Sequence, residues 1–210
     1  MGETTIYFLF TDTGTYLSRA INFATRQPLN HVSISFDRDL QEVYSFGRKK
    51  PRNPFIGGFV KEDIRSDFLK NSDCAVYACQ VSDSDVDAVM SHIKEIEQQK
   101  DNFKYNFIGL IAVLLQVEIN RENAMFCSQF VGTILQDVDA FQFGKPTYFL
   151  TPGDIRKHDN LQLIYQGKLG NYQQVALKAG RKLIKGETSS IPKKSYLLLL
   201  SKKVKRFVIR

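Results

Sequence analysis

Two neighbouring segments that alternate between polar and apolar residues constrain the fold of this chain most. Residues 31–37 (HVSISFD) and 42–47 (EVYSFG) each alternate with a period of two, and the polar stretch 38–41 (RDLQ) separates them. Such alternation is typical of strands with one buried face, and a short polar connection predicts that they pair as a hairpin. We therefore predict an antiparallel pair of strands at this point.

The rest of the chain contains both strand-like and helix-like patterns. Short apolar runs predict strands, whereas apolar residues spaced three or four apart predict helices. The predicted strands are 5–10, 74–81 and 161–166, in addition to the hairpin. The predicted helices are 15–24, 82–99, 106–117 and 127–136. Residues 151–155 (TPGDI) are predicted to start a turn or a short helix. The basic segment 47–58 (GRKKPRNPFIGG) is rich in Pro and Gly and is predicted to be a loop. The fold class is therefore α+β.

Length and charge divide the chain into a body and a tail. The 210 residues are 43% hydrophobic and 24% charged, which is ordinary for a globular protein with one principal domain. Residues 168–210 contain twelve Lys and Arg against Glu187 alone, a net charge of +11, so the total of +7 leaves −4 for residues 1–167. A mildly acidic body argues against a nucleic-acid groove across the main domain. The basic tail is the expected contact for an anionic membrane surface or a nucleic acid.

The amino terminus and the cysteines indicate a reducing compartment. Residues 1–14 carry an acidic residue and no Lys or Arg before a short apolar run, unlike a secretory signal. Cys74 and Cys79 lie five residues apart in one predicted strand, so they point to opposite faces and are expected to be buried, unpaired hydrophobes. We expect a cytoplasmic protein, with its tail at a membrane as an alternative. Metal-ligand spacings and GxGxxG or Walker patterns are absent, so neither metal nor cofactor is expected.

Cys127 and His31 are the residues with the strongest catalytic potential. Cys127 begins the predicted helix 127–136, and a helix N-terminus beside a His favours the reactive thiolate. His31 begins a strand on which His31, Ser33 and Ser35 share one face. If the two segments meet in the fold, they predict a thiol hydrolase or acyltransferase. If they do not meet, both residues are ordinary core positions.

These segments resemble the circularly permuted papain-like enzymes of the NlpC type, which include YiiX-like amidases and the lecithin:retinol acyltransferase group. The similar segments are the His-bearing strand at 30–37, the following strand at 42–47, the Cys-bearing helix at 126–135, and the flanking stretches 104–110 (KYNFIGL) and 150–155 (LTPGDI). His precedes Cys, as the permutation requires. The resemblance implies a papain-like domain over residues 1–167, in which an antiparallel sheet packs against the helix that carries the nucleophile. It also implies an amidase or peptidase.

The third member of the expected catalytic group departs from the family pattern. Related enzymes place a polar residue, commonly His or Glu, on the strand after the base. Ser45 follows His31 by fourteen residues, and this even separation places both on one face of the hairpin. A hydroxyl can hydrogen-bond an imidazole but cannot offset its positive charge. Glu62 is therefore the carboxylate that we expect to support His31 if Ser45 does not suffice.

Further groups are expected to bind the substrate. The backbone N–H of Cys127 is the expected oxyanion donor, with Gln129 and Tyr105 as alternative helpers. The segment 47–58 follows the strand of Ser45 directly, so its four basic residues are expected to border the groove and attract acidic substrates.

Three functions of different classes remain open from the sequence. The first is a thiol hydrolase or acyltransferase that cleaves an amide or ester through an acyl-cysteine intermediate. The second is a papain-like binding module without activity, which the Ser at position 45 favours. The third is a membrane- or nucleic-acid-associated protein that acts through its basic tail.

Overall fold

The computed structural model of the chain describes most of the predicted body. It covers residues 2–15, 18, 19, 22, 23, 27–50, 53–100, 104, 105 and 124–172, with the backbone alone for residues 50, 53–56, 104, 105 and 124. The predicted helix 106–117, most of the predicted helix 15–24 and most of the basic tail lie outside these residues. The chain divides into two units between Ala176 and Leu177, and all described residues belong to the first.

The described elements comprise strands, helices and a 3₁₀ turn. The strands are β1 (Glu3–Asp12), β2 (His31–Ser35), β3 (Val43–Lys50), β4 (Asn53–Lys61), β5 (Asp73–Ser82), β6 (Lys104–Tyr105), β7 (Ala124–Met125) and β8 (Gln162–Lys168). The helices are α1 (Asp83–Gln98), α2 (Cys127–Ile134) and α3 (Pro152–Arg156), with a 3₁₀ turn at Thr147–Phe149. The α+β class is confirmed.

Six of the strands form one antiparallel sheet in the order β4-β3-β2-β1-β5-β8, while β6 and β7 form a separate parallel pair. The predicted hairpin is confirmed as β2 and β3, which pair Ile34 with Tyr44. The prediction of a loop at 47–58 is wrong for the residues that the structure describes, because residues 47–50 belong to β3 and residues 53–58 to β4. Pro54 is compatible with a strand here since β4 lies at the edge of the sheet, where one side needs no backbone donor.

Apolar clusters cover both faces of the sheet. In β1, Phe8 and Phe10 belong to the first cluster and Leu9 to the second, as alternation along a strand requires. Cys79 lies in the first cluster and Cys74 in the second, so the prediction that they point to opposite faces and stay unpaired is confirmed. The first cluster also receives the apolar sides of α1 and α2, which therefore pack on the same face.

Helix α2 is fixed against the sheet by aromatic contacts. The ring of Phe130 lies 5.8 Å from that of Phe46 on β3 and 5.9 Å from that of Phe59 on β4. On another side of the helix, a Cβ at Gly132 would collide with the end of the Leu150 side chain, so the glycine allows Leu150 to pack closely against α2. These contacts fix where the first residue of the helix, Cys127, lies.

The body continues past the predicted boundary at residue 167. Leu169 and Tyr172 are 1% and 3% exposed and pack in the second cluster. The Tyr172 hydroxyl donates to the carbonyl of Arg38 at 2.7 Å. The start of the predicted tail is therefore part of the folded body. Among the described residues, no helix is long and apolar enough to cross a bilayer.

Candidate active site

Cys127 lies at the N-terminus of α2 and is 5% exposed. The residue before it, Phe126, is the N-cap and has no side-chain group that could accept from the first turn. The first N–H groups of a helix have no partner within the helix, and they carry its positive end. The sulfur therefore lies where a negative charge is stabilised.

His31 is the first residue of β2, and its side chain is 19% exposed. Cys127 is near enough to the ring to raise the pKa of His31 through its charge and hydrogen bonding. On the neighbouring strand it lies over Gly47, where an added Cβ would be 3.4 Å from the ring Cε1. The absence of a side chain at Gly47 leaves room for the imidazole. The structure thus brings Cys127 and His31 close together.

Glu62 is the closest partner of the His31 ring. Its Oε1 lies 2.6 Å from Nε2 of His31, and its side chain is only 10% exposed. The second carboxylate oxygen accepts a hydrogen bond of 2.6 Å from Ser33 Oγ. The backbone N–H of Glu62 donates to the carbonyl of Val43 at 2.8 Å, so the residue remains held against β3 just beyond the end of β4.

Ser45 also reaches the ring, as the spacing along the hairpin predicted. Its Oγ lies 3.3 Å from Nε2 of His31 and donates to the carbonyl of Val32 at 3.1 Å. The structure therefore brings both expected supporting residues, Ser45 and Glu62, to the same ring nitrogen. The carboxylate makes the shorter contact and carries the charge.

The charges around His31 favour its protonated form. Burial lowers the pKa of an imidazole, but the negative charge of Glu62, followed by the charge and hydrogen bond of Cys127, raises the pKa of His31 to about 10. Burial acts to raise the pKa of Glu62, yet the charge of His31 and hydrogen bonds from His31 and Ser33 hold that pKa below its ordinary value. At neutral pH the folded site therefore holds an imidazolium against a carboxylate.

The connection between β1 and β2 is anchored beside His31 by a polar network. Asp12, the last residue of β1, accepts hydrogen bonds from the Ser18 hydroxyl and, at 2.8 Å, from the Asn22 amide. Asn30, which directly precedes His31, donates to the carbonyl of Ser18 at 2.6 Å. This network fixes the backbone from which the His31 side chain projects.

Of the two other predicted helpers, Gln129 is placed less favourably for the oxyanion. Gln129 follows Cys127 by two residues on α2, and side chains two apart on a helix do not face each other. Its Oε1 is buried and has no hydrogen-bond partner among the described residues. The backbone of Tyr105 pairs with Met125, which lies two residues before Cys127. The side chain of Tyr105 lies outside the described part of the chain.

Ser33 also belongs to this site, although no role was predicted for it from the sequence. It is fully buried and contacts both Glu62 and the His31 ring. The strand period indicated that Ser33 shares a face with His31, but many buried serines satisfy only the backbone. The signal that identifies Ser33 is its proximity to Glu62, which depends on the path of β4.

No family model, curated protein or solved structure matches the chain. The functional interpretation therefore depends on the geometry of the site.

Proposed function

We propose that the protein is a thiol hydrolase or acyltransferase that acts on an amide or ester through an acyl-cysteine intermediate. The observation that carries the proposal is the position of His31, whose ring lies 2.6 Å from Glu62 Oε1 and close enough to Cys127 for the thiol to raise the pKa of the imidazole. A nucleophile, a base and a group that orients the base form the catalytic unit of many hydrolases. The arrangement agrees with the resemblance to the NlpC-type enzymes, so we extend the proposal to a papain-like fold of the body.

In the first half-reaction, Cys127 attacks as the thiolate. A bond forms between its sulfur and the carbonyl carbon of the substrate, and the carbonyl oxygen takes up the negative charge. His31, which is protonated in the folded protein, then gives its proton to the leaving nitrogen or oxygen as the C–N or C–O bond breaks. The products are acyl-Cys127, a neutral imidazole and the released amine or alcohol.

In the second half-reaction, an acceptor removes the acyl group. His31 takes a proton from the acceptor, whose oxygen or nitrogen attacks the acyl carbon, and the C–S bond breaks to return the thiolate. Water as acceptor gives hydrolysis, whereas an alcohol or amine gives acyl transfer. Glu62 stabilises the imidazolium each time it forms, because its carboxylate lies against Nε2.

The developing oxyanion is assigned to the N-terminus of α2. The backbone N–H of Cys127 belongs to the first turn of the helix, and the N-cap Phe126 offers it no side-chain acceptor. Donors fixed in advance at the point where charge develops are among the largest contributions to catalysis. Gln129 is a less suitable donor because it projects from a different side of the helix.

An inactive papain-like module is the alternative that the Ser at position 45 favoured. A serine hydroxyl alone would leave the charge of the imidazolium without an opposite charge. Glu62 supplies that charge from just beyond β4, within 2.6 Å of the ring. The contact between Glu62 and His31 therefore supports the enzyme over the binding module.

Acylation by an activated ester tests the proposed function. The full chain is incubated with 4-nitrophenyl acetate, and peptide mass spectrometry locates the acetyl group. We expect acetyl-Cys127 in the wild type, none in Cys127→Ala, and strongly slowed formation in His31→Ala. The control Cys79→Ala removes a buried cysteine of β5 and should react like the wild type. An unmodified Cys127, or an unchanged rate in His31→Ala, would refute the proposal.

A further inference from the structure

Three oxygen atoms surround Nε2 of His31. Glu62 Oε1 lies 2.6 Å from this nitrogen, Ser45 Oγ 3.3 Å and Ser33 Oγ 3.4 Å. Both serines are 0% exposed. The pairing of Ile34 with Tyr44 places Ser33 directly opposite Ser45, so the two hydroxyls approach the ring from adjacent strands.

The hydrogen atoms of both hydroxyls are directed to other acceptors. Ser33 donates to Glu62 Oε2 at 2.6 Å, a much shorter contact than its 3.4 Å to the ring. Ser45 donates to the carbonyl oxygen of Val32 at 3.1 Å, and a carbonyl can only accept. A hydroxyl has a single hydrogen, so each serine presents only lone pairs to Nε2.

We propose that Ser33 is a positioning residue of the catalytic site, and that Glu62, together with the lone pairs of Ser33 and Ser45, fixes the proton of the neutral His31 ring on Nε2. A lone pair on Nε2 would face three other lone pairs, whereas an N–H at this atom has an acceptor at 2.6 Å. Nδ1 is then the nitrogen that exchanges its proton with Cys127 and the substrate. The catalytic part of this inference rests on the proposed function, but the position of the proton does not.

Ser33 acts on the ring through Glu62. The Glu62 side chain is largely removed from water, and its Oε2 would lose the 2.6 Å donor if the Ser33 hydroxyl were absent. A buried carboxylate oxygen without a donor is costly, so the carboxylate would rotate or take up a proton. Either change would weaken the contact between Oε1 and Nε2. Ser33 therefore maintains both the orientation and the charge of Glu62.

Nitrogen-15 NMR of the histidine rings tests the position of the proton. The chain has three histidines, so the spectrum of His31→Ala assigns the His31 signals. In Cys127→Ala the imidazolium lacks the sulfur that helps to stabilise it, and the neutral ring becomes populated at lower pH. We expect Nδ1 to lose its proton as the pH rises while Nε2 keeps it. A neutral ring protonated on Nδ1 would overturn the proposal, whether or not the protein is active.

Kinetics on 4-nitrophenyl acetate test the positioning role. Ser33→Ala should lower kcat by about 10- to 100-fold, the loss of one hydrogen bond to a charged group, with little change in KM. The alkaline limb of its pH profile should move towards neutrality, and Ser33→Thr should recover most of the rate because it keeps the hydroxyl.

The matched control for this test is Ser35→Ala. Ser35 is also fully buried on the same face of β2, but its hydroxyl contacts Asp37 instead of the His31 ring. This variant should keep the wild-type kcat and pH profile. If Ser33→Ala and Ser35→Ala behave alike, the positioning role is wrong even where acyl-Cys127 forms. Failure of the wild type to form acyl-Cys127 refutes the proposed function instead.

Discussion

Replacing Glu62 with Gln should destabilise the folded protein by about 3 kcal/mol at pH 7, the loss typical of removing one partner of a buried ion pair. Gln keeps an oxygen for Nε2 and removes only the charge. A pKa of about 10 for His31, against an ordinary 6.5, corresponds to about 5 kcal/mol of preference for the imidazolium in the folded state. Among the interactions that raise this pKa the charge of Glu62 is the largest, so the preference for the imidazolium should be clearly smaller in the variant.

The loss of folding stability caused by Glu62→Gln should pass through a maximum as the pH is varied. The raised pKa of His31 stabilises the fold fully below pH 6.5, and this contribution is lost as the pH rises through about 10. The lowered pKa of Glu62 stabilises the fold above its ordinary value of 4.5, and this contribution is lost as the pH falls through the folded value. The difference in free energy of unfolding between wild type and variant should therefore be largest between pH 4.5 and 6.5. It should decrease as the pH rises towards 10 and as it falls below 4.5.

Urea unfolding at a series of pH values measures this difference. The control is Glu97→Gln, which removes the charge from a surface pair with Lys61 that is 3.1 Å apart and well exposed. That variant should change the free energy of unfolding by no more than about 0.5 kcal/mol. If Glu62→Gln has an equally small effect at pH 7, or one that does not vary with pH, the ion pair described here does not exist in solution.

Further variants probe the remaining features of the site and the body. Ser45→Ala should slow acylation less than Glu62→Gln, since it removes a neutral hydrogen bond worth about 1 kcal/mol and no charge; the rate of nitrophenolate release measures this. Gly132→Ala should lower the free energy of unfolding by about 1 to 3 kcal/mol in urea titrations, because the added methyl group collides with Leu150. Truncation after residue 176 should abolish co-sedimentation with anionic vesicles, because it removes most of the basic residues of the tail. Truncation after residue 167 should lower Tm, because it also removes Leu169 and Tyr172 from the core.

Much of the fold was predictable because strong periodic patterns define its elements. The strands around His31 and Cys74 and the helix that begins at Cys127 are recognisable from alternation or helical spacing alone. The prediction of a loop at 47–58 fails because it rests on Pro and Gly, which favour loops only through local preference. Pairing with the rest of the sheet overrides that preference, and Gly47 and Gly58 even lie opposite each other across β3 and β4.

The wrong loop prediction also explains why the sequence favours Ser45 over Glu62 as the residue that supports His31. The hairpin spacing determines the face of Ser45. The position of Glu62 depends instead on β4, and the first residues of β4 fall within the segment that is predicted to be a loop. Once Tyr44 pairs with Lys61, the next residue, Glu62, falls beside Val43 on the face that carries Ser45. The role of Ser33 follows only from interatomic distances, which no sequence pattern supplies.

The reactivity of Cys127 tests the central claim most directly. The folded chain is treated with iodoacetamide at pH 6, and peptide mass spectrometry gives a separate alkylation rate for each of the three cysteines. We expect Cys127 to react faster in the folded protein than in the urea-unfolded chain, with a strong reduction in His31→Ala, because the imidazolium stabilises the thiolate. Cys74 and Cys79 should react more slowly when folded, since burial raises the pKa of both thiols. If Cys127 reacts no faster folded than unfolded, it is a buried structural cysteine and the proposed enzyme is wrong.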